Sequence, residues 1–137
     1  MEYISTRGGM NPAPYSAILL EGLATDGGLV VPESIPEVKL ELIEQWRGLS
    51  YAELATEVLS FYATDIPGSD LAAMCERAYS TDSFGQTVVP LTPLGDELSL
   101  LGLSEGPTLA FKDLAMQFLG QVIPYALAKT DRVLNIV

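Results

Sequence analysis

The sequence contains no histidine and a single cysteine, Cys75. The first absence excludes Ser-His-Asp machinery, histidine-rich metal sites and a histidine pH switch. The second excludes an internal disulfide and any cysteine spacing suited to zinc, so no metal site is expected. Positive charge is also scarce: seven basic residues stand against 18 acidic ones, for a formal net charge of −11. The basic residues are scattered, with no stripe to follow a phosphate backbone, so neither a nucleic acid nor an anionic membrane surface is an expected partner. No apolar run approaches bilayer-spanning length, and residues 1–10 lack the basic-then-apolar pattern of a secretion signal. These absences point to the cytoplasm.

Apolar residues make up 48% of the 137 positions and charged residues 18%. That is the balance of one globular unit able to bury a modest core. Residues 14–23 read as a short helix, ended by the turn Asp26-Gly27-Gly28. Leu29-Val30-Val31 reads as a strand closed by Pro32, and residues 40–46 as a second helix. Ser50 followed by Glu53 is a capping-box pattern, opening a helix with Leu54, Val58 and Phe61 at helical spacing. After Pro67-Gly68, Ser69 or Asp70 is placed to cap a helix whose one face is Leu71, Met74, Cys75 and Ala78, a packing face.

The character changes after residue 80. Strands are expected at 88–91 and 98–103, joined through Gly95-Asp96 as a hairpin. A turn at Glu105-Gly106-Pro107-Thr108 precedes a helical pattern with Phe111, Leu114, Ala115, Phe118, Val122 and Tyr125 on one face. Pro124 falls inside it and predicts a kink or break. Residues 132–137 read as a buried strand. The order implies a helical domain over 1–85 and the start of an α/β domain over 86–137, α+β within this chain. A sheet with one covering helix is unfinished, so a further stretch of chain, a partner or self-association through the sheet is expected to complete it.

The chemistry-bearing stretch is Gly106-Pro107-Thr108-Leu109-Ala110-Phe111-Lys112-Asp113. Lys112 falls at the start of an amphipathic helix, where the dipole disfavours a cation and favours Asp113. Apolar neighbours and unpaired amides there favour a neutral amine, the form that Schiff-base chemistry requires. The ordinary alternative is a surface lysine whose stem covers Phe111.

The run from Gly106 to Gly120 resembles the cofactor-lysine motif of the threonine synthase family. Tyr3-Ile-Ser-Thr-Arg-Gly-Gly9 resembles that family's opening segment, and Leu23 to Pro32 resembles its following turn and strand. The resemblance implies a pyridoxal phosphate (PLP) enzyme of fold type II, similar to tryptophan synthase β. It implies a helical N-terminal domain followed by the first strands of the cofactor domain. It further implies Lys112 as the Schiff-base lysine, O-phospho-L-homoserine as substrate, and threonine and phosphate as products. Thr108 then either caps the helix or touches the ligand, and Arg7 meets an anionic group or a surface carboxylate. Three departures stand out: Glu105 replaces a histidine common before Gly-Pro-Thr, Pro124 is unusual inside the lysine helix, and the sequence stops at Val137, before the glycine- and serine-rich loop that would cradle the cofactor phosphate. The other reading is therefore an inactive fragment or an interaction module. A related PLP lyase, a threonine dehydratase or tryptophan synthase β-like protein, fits the wording of the lysine motif less well.

Overall fold

The computed structural model describes residues 1–135 of the chain. The expected mixture of helix and strand is present, but its strands form two separate antiparallel pairs. The first pairs β1 (Tyr3–Ser5) with β2 (Val30–Pro32), in the register Ile4 opposite Val31. The second pairs β3 (Leu91–Pro93) with β4 (Ser99–Leu101), Thr92 opposite Leu100. This is the expected hairpin, with its first strand displaced along the chain. Pro90 has no N–H to give to a ladder, and its carbonyl instead accepts from the Gly102 N–H at 2.8 Å. Val88, expected in that strand, is buried ahead of it. β1 is an addition; the short pattern around Tyr3 carries no period that reveals it.

Six helices complete the described chain: α1 (Tyr15–Leu19), α2 (Leu40–Gln45), α3 (Tyr51–Ser60), α4 (Gly68–Ala78), α5 (Thr81–Phe84) and α6 (Asp113–Leu127). α1 is shorter than the expected 14–23. α3 opens with the full capping box: the Glu53 N–H donates to Ser50 Oγ, and the Ser50 N–H donates to Glu53 Oε2 at 2.7 Å. α4 does not open at Ser69 or Asp70. It begins at Gly68, with Pro67 in the cap position and no side-chain cap. Pro67 is suited to that place, because its missing N–H is one the helix start would leave unpaired. Asp70 instead accepts a hydrogen bond from Tyr125 Oη at 2.6 Å, tying α4 to α6.

The core joins Leu71, Met74, Cys75 and Ala78 of α4, as the spacing predicts, to Phe118 and Val122 of α6. α3 meets it through Ala52, Ala55 and Leu59. The expected face of Leu54 and Val58 turns away, toward Ile43 and Trp46. α3 packs on α4 through these residues, while Leu54 and Val58 border a cleft shared with α2. α6 runs through Pro124 without the expected break. Gly120, whose carbonyl loses its partner, and Pro124 are both exposed, so water can satisfy that carbonyl and no packed neighbour forces the chain aside. The expected strand over 132–137 is not formed at 132–135, and its last two residues lie outside the described residues.

Candidate active site

Lys112 lies in the cap position of α6, one residue before its start, with helical backbone (φ −58°, ψ −26°). The expected face of α6 began at Phe111, but Phe111 precedes the helix and is 69% exposed. Lys112 is exposed as well, so the apolar surroundings expected for its amine are not supplied by the described residues. Its amine forms no ion pair and no hydrogen bond among the described residues.

The loop before the lysine is held by one carboxylate. Asp113, only 3% exposed, accepts from the Thr108 N–H at 2.8 Å and from the Thr108 hydroxyl at 2.9 Å. The Thr108 side chain therefore does not cap α6; its hydroxyl donates to Asp113. Gly106 is tucked beneath that carboxylate, where any Cβ would overlap the Asp113 side chain. Between them Leu109 sits at φ 59°, the only non-glycine residue of the described chain with positive φ. A branched side chain is costly there, about 1–3 kcal/mol, and such strain persists where surrounding contacts over-determine the backbone. From Ala110 the chain winds into α6: the Asp113 N–H donates to the Ala110 carbonyl, and the Met116 N–H to the Lys112 carbonyl at 2.9 Å. Tyr79 Oη donates to the Leu114 carbonyl at 3.0 Å, anchoring this first turn to the helical core.

Arg7 occupies a different cluster. Its Nη1 donates to the Asp26 carbonyl at 3.0 Å, and no hydrogen bond or ion pair among the described residues joins it to Thr108 or Lys112. Asp26 is the centre of that cluster. It accepts from Ser5 Oγ at 2.7 Å, from the Gly28 N–H at 2.9 Å and from the Gly9 N–H at 2.7 Å. The Ser5 hydroxyl, then the Gly28 amide, the Gly9 amide and the Arg7 charge hold this carboxyl below its ordinary range, against a smaller opposing effect of desolvation. Gly28 has no room for a side chain against Ser5. The Asp-Gly-Gly turn is thus closed on itself. The Gly27 and Gly28 amides are spent on Ala24 and Asp26, and the turn leads into β2, so it offers no phosphate cradle.

Sequence reasoning singled out Lys112 and read Asp113 only as a helix-start residue. A glycine seven positions before a carboxylate was the available signal. The apolar cavity between α3 and Tyr79, lined by Tyr51, Leu54, Ala55 and Leu59, carries no nucleophile or carboxylate. Cys75 is fully buried and its thiol pKa is pushed up by that burial, which leaves it an inert core residue.

Residues 2–79 match the family profile described as "Threonine synthase N terminus". The chain belongs to the threonine synthase family. It is 44% identical to a threonine synthase of Methylobacillus glycogenes over 99% of its own length and 30% of that protein. It is 45% identical, with the same coverages, to the threonine synthase of Corynebacterium glutamicum. Its fold is similar to a crystal structure of PLP-bound threonine synthase from Brucella melitensis, with a TM-score of 0.88 and 42% identity over 94% of this chain and 28% of that one. The chain thus spans under a third of the length of the threonine synthases it matches. The profile stops at residue 79, so the lysine loop lies outside it; the matched relatives and the solved structure extend across the loop.

Proposed function

We propose that this chain is the N-terminal portion of a PLP-dependent threonine synthase. It would act in the cytoplasm, converting O-phospho-L-homoserine and water into L-threonine and phosphate. The observation that carries this reading is the exposed amine of Lys112, unpaired among the described residues, at the mouth of α6 on a loop braced by a buried carboxylate. An accessible primary amine with no carboxylate partner is the donor an aldehyde cofactor needs. PLP, when bound, supplies the electron sink for charge developing on the substrate carbons. Lys112 Nζ is the residue that would hold the cofactor and then carry protons to and from the substrate. Thr108 supports it through Asp113. Arg7, exposed and with one guanidinium nitrogen engaged among the described residues, is the candidate for an anionic group of the substrate. On this reading residues 1–85 are the N-terminal domain and 86–137 open the cofactor domain, whose phosphate-binding part belongs to the rest of the enzyme.

In the full-length enzyme, Lys112→Ala is expected to abolish both threonine formation and borohydride trapping of covalent cofactor. Cofactor still trapped in that variant would overturn the assignment. A second reading concerns the 137 residues alone, which are expected to be inactive and to self-associate or dock on another chain. Leu91, Leu94, Leu98, Leu100 and Leu101 are all exposed on the hairpin, which leaves apolar side chains bare on both of its faces. Adding PLP to the 137-residue chain tests this: a saturable, stoichiometric absorbance band would contradict the inactive-fragment reading.

A further inference from the structure

We infer that Asp113 is a positioning residue for Lys112, acting through Thr108 and Gly106 to lock the backbone that presents the amine. The inference rests on the reading of Lys112 as the cofactor lysine, and three features of the loop carry it. A carboxylate 3% exposed is an unusual residue to bury, and its hydrogen bonds go to a single residue, Thr108. Those bonds span positions 108 to 113 and so enclose the lysine between their ends. Gly106 packs against the same carboxylate where no side chain fits, which closes the loop from the other side. Leu109 is held at φ 59° within the enclosed segment, a conformation that an unbraced loop would relax. An exposed lysine stem has many rotamers; with its Cα direction fixed, fewer of them aim Nζ wrongly. Neither Asp113 nor Thr108 need touch the cofactor or the substrate for this to operate.

The test uses the full-length enzyme stripped of cofactor. The rate at which limiting PLP is trapped on Lys112 by cyanoborohydride is read by peptide mass spectrometry. Thermal unfolding and the visible circular dichroism of the bound cofactor are read alongside. Asp113→Asn keeps the shape but removes the charge and leaves one acceptor oxygen for the two Thr108 donors, and is expected to slow trapping by between about tenfold and a hundredfold, the scale of a misplaced reacting group. Its dichroic band is expected to weaken as well. Thr108→Val is expected to slow trapping in the same direction, and Thr108→Ser, which keeps the hydroxyl, to restore it. A folded Asp113→Asn protein with the wild-type trapping rate and dichroism would overturn the inference, as would Thr108→Ser falling as far as Thr108→Val. If Asp113→Asn does not fold, the Thr108 pair decides. Lys112→Ala run in parallel separates the two failures: cofactor still trapped there sinks the underlying reading, whereas its loss with unaffected Asp113 and Thr108 variants sinks only the positioning role.

Discussion

The two halves of the molecule keep their shape by different means. Around α4, the side chains of Leu71, Met74, Cys75 and Val122 are almost wholly removed from water, and the geometry follows from packing. From β3 to Lys112 the apolar side chains Leu98, Leu100, Leu109 and Phe111 are exposed, and hydrogen bonds hold the backbone. The lesson is where rigidity resides when a site must stay open. A packed core cannot present a reactive amine, because burial would enclose it. A loop with one buried acceptor can be rigid at the backbone and open at the side chain.

That contrast can be broken most directly in the core. Leu71→Ala is expected to remove about 2–5 kcal/mol of stability, read as a fall in the urea midpoint. A loss below about 1 kcal/mol would mean that the helical half is not held by packing. Gly106→Ala comes next. The added methyl meets the Asp113 side chain, which costs about 1–3 kcal/mol, and in the full-length enzyme it should also slow cofactor trapping at Lys112. Unchanged trapping would detach the loop geometry from the lysine. Ser50→Ala removes half of the capping box on α3 and is expected to cost about 1 kcal/mol by the same urea measurement.

The pH dependence sharpens the comparison further, because its responsive groups lie in the N-terminal and helical half. Asp26 has a lower pKa folded than unfolded. Its contribution is therefore complete above the ordinary carboxylate value of about 3.9 and is lost as pH falls through the lower folded value. Asp26→Asn should flatten the acid limb of a stability-against-pH curve. Tyr3 works in the opposite direction: burial raises it to about 12, so its contribution is present below about 10 and disappears as pH rises through about 12. Smallest of all, Leu100→Asn on the exposed hairpin should change the stability of the 137-residue chain by no more than about 0.5 kcal/mol. A larger loss would show that the hairpin is packed in solution.

How legible each feature was in the sequence depends on how local its cause is. The Ser50–Glu53 capping box closes across three residues, and Leu71, Met74, Cys75 and Ala78 repeat within one helix, so both were readable. The hairpin was readable through Gly95-Asp96, but its strand ends were not, because they depended on where Pro90 and Gly102 meet. The inward face of α3 was not readable from side-chain size, because Ala52 and Ala55 pack on the core beside Leu59, while Leu54 and Val58 border a cleft with Ile43 and Trp46. The lysine was found from its motif. The burial of Asp113 was not, since a carboxylate at a helix start reads as an ordinary favourable charge.

The amino-acid sequence alone determined the capped start of α3, the apolar stripe of α4 and the lysine at the opening of α6. Those features arise from bonds and periodicities spanning a few residues. Tertiary structure alone decided that β1 pairs with β2, that Ser5 meets Asp26 across 21 positions, that Tyr125 reaches Asp70, and that the amine of Lys112 stands in the open. Each of these depends on which distant groups arrive together, and hydrogen bonding and burial settle that only once the whole chain has packed.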